Sequence, residues 1–534
     1  MDSRNRKRDP ERKQDRNSLF DRLVIEDYKS TPISSSLEEN RRLLMAIYKD
    51  CSDMVLREFH IEDGPAAIMF YIDGIAKTDA VDMAMKALMI LEGGEHFIEQ
   101  LQKNTLPVTQ MATLDNFGDL FMNVLSGDTG LLVEGNRVAA SLGLRGAEHR
   151  GVSEPETESV IRGPREGFTE HLRTNTALIR QKIKSPRLKM KPLIVGRETN
   201  TSLVVTYIQG LADPKLIDEV VARIEQIKID GVLESGYIEE LIQDNGYSPF
   251  PQLQITERPD TVAASLLEGR VAILVDGTPF VMLAPIVFWQ WLQASEDYYE
   301  RFYLGTFLRF LRLLCLFLAL LTPAIYIALS TYHQEMIPTN LLLSIAASRE
   351  PIPFPAVVEA MIMELAFEAL REAGIRLPKT VGQAVSILGA LVVGQAAVQA
   401  GIVSAAMVIV VSITGIASFT LPRYNAAISV RLLRFPLMLA ASLVGLLGIV
   451  IGVMLIIGHM ARLRSFGVSY LSPVAPLSVT DFKDVAIRAP WWQMKTRPAF
   501  MDAADADRLG QQTEKLGQNG DAAENGTRNN SNSD

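Results

Sequence analysis

The chain has 534 residues and a formal net charge of −9. It is too long for one ordinary domain and lacks the basic balance of a general nucleic-acid binder. Two cysteines, Cys51 and Cys315, form neither a disulfide framework nor a CxxC metal pair. The histidines are scattered with no HxxxH pair, and there is no GxxxxGK[ST] loop or GxSxG elbow. No enzyme activity, metal or cofactor is therefore expected.

The N-terminus, MDSRNRKRDPERKQDRN, is charged and has no apolar core behind it, so it is not a secretory signal. Residues 1–44 are expected to be disordered. Two later stretches resemble each other: FYIDGIAKTDAVDMAMKAL from Phe70 and TYIQGLADPKLIDEVVARI from Thr206. Each reads as a strand followed by an amphipathic helix. LLVEGNRV (131–138) and ILVDGTPF (273–280) read as matching hairpins that turn at Glu134-Gly135 and Asp276-Gly277, where glycine supplies positive φ. Two related α/β subdomains are expected over 45–150 and 190–300. The charged segment 151–189 connects them. Within it, Arg162, Gly163, Pro164 and Arg165 are candidates for a domain interface or a phosphate site.

A helical membrane domain of about four to five spans is expected over 301–465. Residues 311–330 form the clearest span, about 20 residues at 1.5 Å each against a ~30 Å core. Arg301 and Arg309 precede it and Arg312 sits at its start, so the N-terminal part is expected in the cytoplasm. Pro323 is a tolerated kink if a neighbouring helix satisfies the freed backbone group. Residues 384–420 are too long for one helix and predict two short ones meeting near Gly401. Gly389, Gly394, Ala396, Ala397 and Ala400 there allow close helix approach. Gln395 and Gln399 are one turn apart, as interhelical hydrogen-bonding groups or as pore lining. Residues 437–460 read as the last span.

Between the first two lies PIPFPAVVEAMIMELAFEALREAGIRLP (351–378), apolar but carrying Glu359, Glu364 and Glu368. On a helix, Glu364, Glu368, Arg371 and Glu372 share an arc of about 100°, and Glu359 lies near the opposite face. Exposing three such charges to lipid costs roughly 7–10 kcal/mol. The stretch therefore either lies in the interface with its carboxylates in water, or sits in a multi-helix assembly where they face a cation path. After the last span, 466–500 is an aromatic and basic juxtamembrane segment. Trp491, Trp492 and Arg497 there suit a membrane-surface anchor, or packing on the soluble domain. Residues 501–534 are expected to be disordered.

Three ordered stretches, SEPETESVIRGPREGFTE, FPAVVEAMIMELAFEALREAGIRLPKTVGQAVSILGALVVGQAAVQAGIVS and RAPWWQMKTRP, closely resemble the A subunit of GerA-type spore germinant receptors. The resemblance runs from about residue 45 to 500. It implies a multi-pass subunit of the spore inner membrane. It also implies partnership with a transporter-like B subunit that takes up the germinant and a lipoprotein C subunit. Self-oligomerisation into a nutrient-gated path for monovalent cations is implied as well, which favours pore or gate roles for Glu359, Glu364, Glu368, Gly394, Gln395 and Gln399. The alternatives are a non-conducting transducer or scaffold of the same complex, and a solute-binding subunit with a ligand between its α/β halves.

Overall fold

The two related stretches fold as two copies of one motif. The computed structural model describes residues 24–62, 64–91, 97–101, 110–146, 153–155, 157–376, 394–503 and 505–509. The first copy runs α1 (Leu37–Ile47), β1 (Met54–His60), β2 (Ala66–Ile72), α2 (Thr78–Met89), α3 (Phe97–Leu101), β3 (Met111–Leu114), α4 (Phe117–Leu125), β4 (Thr129–Val133) and β5 (Ala139–Leu142). The second runs α5 (Leu172–Lys182), β6 (Leu188–Val195), β7 (Thr201–Ile208), α6 (Pro214–Glu225), α7 (Ser235–Ile242), β8 (Gln254–Thr256), α8 (Pro259–Leu267), β9 (Val271–Val275) and β10 (Val281–Ala284). Both sheets are antiparallel and share one strand order, β1-β2-β4-β5-β3 and β6-β7-β9-β10-β8.

Strand β2 is apolar throughout because both of its faces are covered. Ile68, Phe70 and Ile72 pack with Leu44, Ile47, Phe117, Phe121 and Val124 of α1 and α4. Ala67, Met69 and Tyr71 pack with Val81, Ala84, Leu88 and Ile98 of α2 and α3. In the second copy, Val204, Leu274 and Leu283 pack on Ile179 of α5 and on Val262 and Leu266 of α8. Corresponding positions compensate in size. Phe70 pairs with Gly130, whereas Thr206 pairs with Ala272. A Cβ at Gly130 would lie 2.5 Å from the Phe70 ring.

Both hairpin turns adopt the expected left-handed glycine, with φ of +81° at Gly135 and +87° at Gly277. The acidic residue before each glycine caps the helix that opens its copy. Glu134 accepts from Leu37 N (2.8 Å), and Asp276 from Leu172 N (3.1 Å). Asn40 of α1 and Asn175 of α5 make the same paired bonds to the backbone of Ser34 and Thr169. Each copy thus begins with its capping helix, which corrects two expected boundaries. Residues 24–44 are structured rather than disordered, while 1–23 lie outside the described residues. The charged connection also contains α5, whose Leu178 and Ile179 are buried in the second core.

The chain divides into two compact units, Met1–Gly246, Leu253–Ile286 and Trp491–Asp534 in one, Tyr247–Gln252 and Val287–Pro490 in the other. The sequence YSPFPQ (247–252) therefore belongs to the second unit, although it lies inside the second α/β repeat. There the carbonyls of Pro249, Pro251 and Gln252 accept from the hydroxyls of Ser429, Tyr470 and Ser465. Phe250 lies against Trp291, His459 and Tyr470.

The second unit is helical: α9 (Phe302–Thr331), α10 (Thr339–Arg349), α11 (Ala356–Arg376), α12 (Ala405–Phe419), α13 (Tyr424–Val444) and α14 (Leu446–Arg462). Of the four or five crossings expected, α9 and α13 are long and apolar enough to cross a membrane, and α12 and α14 are apolar but shorter. Part of the expected 384–420 pair, including Gly389, falls outside the described residues. In the described part, residues 394–399 are helical, the chain turns at Gly401 with φ +64°, and α12 follows. The expected single span 437–460 is instead two helices. Gly445, at φ +65°, breaks the run. A Cβ at Gly448 would strike the Ala440 carbonyl, and one at Gly452 would strike Leu437. These bare glycines let α13 and α14 fold back on each other at close range.

Candidate functional site

The three glutamates that stood out on α11 are buried or partly buried among apolar helices, whereas Glu372 and Arg376 near its end are exposed. Glu359 and Glu364 are fully buried, together with Ala356 and Ala360 on the same helix. Their carboxylates meet arginines rather than open space, because an unpaired charge in such a setting is prohibitively costly. Glu359 accepts from Arg349 at the end of α10 (3.3 Å) and from Ser404 N at the start of α12 (2.9 Å). Glu364 pairs with Arg434 of α13 at 2.5 Å. Glu368 pairs with Arg431 of α13 (3.0 Å) and with Arg371 of its own helix (3.1 Å).

The register follows from helix geometry. Glu364 and Glu368 are spaced i, i+4 on α11, and Arg431 and Arg434 are spaced i, i+3 on α13. Residues at these spacings lie on one face. The pairs 364–434 and 368–431 run in opposite directions along the two helices, so α11 and α13 are zipped antiparallel.

Arg434 has a second task. Pro323 in α9 has no N–H, which leaves the carbonyl four residues earlier, that of Ala319, without its helical partner. Arg434 Nε donates to this carbonyl at 2.9 Å. One guanidinium thus joins α9, α11 and α13, and the freed backbone group finds a neighbouring helix as Pro323 implied. Among the described residues, Glu364 Oε1, Arg434 Nη2 and Arg371 Nε have no hydrogen-bond partner. Ile362, Leu365, Ala369 and Glu372 of α11 are exposed, with Glu372 at the edge of the carboxylate arc.

The other candidates lie elsewhere. Gln395 and Gln399 are exposed. Gly394 is buried, with room for a Cβ 3.6 Å from Val408. Arg309 and Arg312, read as a positive flank, converge on the fully buried Asp297 at 3.2 and 2.7 Å. In the α/β unit, Arg258 donates to the carbonyls of Glu158 and Pro164 (3.1 and 2.9 Å) and so holds both shoulders of the loop carrying Arg162 and Gly163. Arg165 is exposed beside it. Arg497 donates to Leu267 O at 2.9 Å, and Arg508 stacks 5.2 Å from the Trp491 ring. Trp491, Trp492 and Arg497 all belong to the α/β unit. No group of three or more potential metal ligands occurs among the described residues. Sequence reasoning missed Arg431, Arg434 and Arg349. The available signal was the i, i+3 arginine pair in SVRLLRFP, matching the i, i+4 glutamates of α11.

Residues 42–500 match the family model described as Bacillus/Clostridium GerA spore germination protein. Among similar proteins, the uncharacterized membrane protein YfkQ of Bacillus subtilis (strain 168) is 53% identical over 476 residues, covering 89% of this chain and 93% of the relative. Spore germination protein KA of Bacillus subtilis (strain 168) is 46% identical over 90% of this chain and 89% of its own. The crystal structure of the N-terminal domain of the A subunit of the Bacillus megaterium spore germinant receptor GerK3 is 35% identical, covers 48% of this chain and 98% of that domain, and has a TM-score of 0.39. With a family match over most of its length, a twofold α/β repeat and membrane-competent helices, the chain belongs to the GerA family of spore germination proteins.

Proposed function

We propose that the chain is the A-type subunit of a nutrient germinant receptor in the spore inner membrane, with its α/β unit cytoplasmic. It acts with a transporter-like B subunit and a lipoprotein C subunit. It self-associates so that α11, with the 394–420 region beside it, borders a gated path for monovalent cations. The observation that carries this reading is the row of carboxylates on α11, placed inside an apolar helical unit. Carboxylates in such a place are costly, and cation selection is a use that justifies the cost. Germinant binding in a partner shifts a closed–open equilibrium of these helices.

Glu368 is the carboxylate to test, because its side chain is partly open to solvent and its partners Arg371 and Arg431 keep further bonds to Ser418 and to Ala427 O. Glu368→Gln spores should contain normal amounts of the subunit yet release potassium at least several-fold more slowly after nutrient. Unchanged release at normal protein level rejects a role for this carboxylate in conduction. One observation favours the non-conducting transducer instead: Glu359, Glu364 and Glu368 are each paired with an arginine within a single chain.

A further inference from the structure

The same arginines suggest how such a path is kept shut. We propose that Arg431 and Arg434 act as a tethered-cation latch, occupying the Glu368 and Glu364 carboxylates in the resting receptor and withdrawing from them on activation. This rests on the reading of α11 as the border of a cation path, and adds the element that regulates it.

Three features support the latch over simple helix–helix glue. First, both arginines come from one helix and both carboxylates from another, in antiparallel register. A single sliding or tilting of α13 against α11 therefore breaks both contacts together. Second, the buried pairing is incomplete: Glu364 Oε1, Arg434 Nη2 and Arg371 Nε lack partners among the described residues. A half-satisfied buried ion pair is no better for stability than apolar side chains of similar volume. Its retention fits a contact that must also come apart. Third, α13 is weakened where the latch sits. Pro436 lies two residues after Arg434 and removes one backbone hydrogen bond there. Farther along, α13 ends at the left-handed Gly445. A guanidinium is a cation that cannot diffuse away or lose its charge. While it holds the carboxylate, a mobile potassium ion has no site.

Arg434 also completes the backbone of α9, so Arg431, whose pair is partly exposed, carries the test. Spores bearing Arg431→Gln in the otherwise intact receptor would be assayed for potassium release without nutrient and for the nutrient concentration that triggers half-maximal release. The latch predicts release without nutrient, or a trigger concentration lowered at least tenfold. It also predicts that the charge swap Glu368→Arg with Arg431→Glu restores resting tightness. An unchanged trigger concentration at normal protein level overturns the proposal. If Arg431→Gln depletes the subunit, and the swap restores its level with no leak in any partly active variant, the pair is structural and the proposal is also overturned. The path itself is tested separately, by thiol modification along α11. Block there with an unaltered threshold in Arg431→Gln removes the latch alone, and absence of block removes the path.

Discussion

Asp53→Ala should destabilise the α/β unit by about 3–5 kcal/mol, the cost of stranding a buried charge. Asp53 immediately precedes β1, and Arg180 lies on α5 of the other repeat. The Arg180 side chain is fully buried and that of Asp53 is 4% exposed. Arg180 Nε and Nη2 donate to the two carboxylate oxygens at 2.7 and 2.9 Å, and Nη1 donates to the carbonyls of Ser185 and Leu188. Around this pair the repeats are stitched by backbone: Met190 N donates to Asp50 O and Ser52 N to Met190 O. The Lys189 ammonium donates to Ile47 O. Removing the carboxylate leaves Arg180 with two carbonyl partners and a full charge in the joint. Urea or thermal unfolding of the purified full chain should show the loss. A double variant, Asp53→Leu with Arg180→Met, should recover much of it, because neither charge then remains. Equal loss in the single and double variants would mean that packing, not the charge pair, holds the joint.

Arg434→Ala should be the most damaging single change in the helical unit. It strands the Glu364 carboxylate, at about 3–5 kcal/mol, and orphans the Ala319 carbonyl, at about 1–3 kcal/mol. The expected result is near-complete loss of the subunit from spore membranes by immunoblot. The two contributions are separable. Pro323→Ala restores an N–H that can bond Ala319 O along its own helix, so it should partly rescue Arg434→Ala while changing little in the parent. Glu364→Leu should rescue the other part by removing the stranded charge. If Pro323→Ala gives no rescue, the bridge between Arg434 and α9 contributes nothing to stability.

The repeat was legible because hairpin turns and the Tyr-Ile-x-Gly strand ends impose local chemistry that the chain states twice. Its starting points were less visible. Leu37 and Leu172 open their copies on caps supplied from 97 and 104 residues away, and a local pattern cannot show a distant capping partner. Helix α11 stood out as charged, but its partners did not. Arg431 and Arg434 sit just before an apolar run and read as an ordinary basic flank. Only the fold-back at Gly445, with Gly448 and Gly452 against α13, turns the expected span 437–460 into two helices. Likewise, YSPFPQ reads as a Pro-rich loop of an α/β domain, and nothing local shows that hydroxyls of Ser429, Ser465 and Tyr470 will hold its carbonyls.

If α11 borders the cation path, it does so with its carboxylate face. The most direct measurement is potassium release from nutrient-triggered spores carrying single cysteines along 359–372, with and without a membrane-impermeant thiol reagent, after checking protein levels. The background is quiet: Cys51 and Cys315 are both buried, burial pushes the Cys51 thiol up, and Cys315 can be replaced. Block should recur every three to four residues through positions 364, 368 and 371. No block at any position with germination intact, or block only along 362, 365 and 369, would contradict this role of α11.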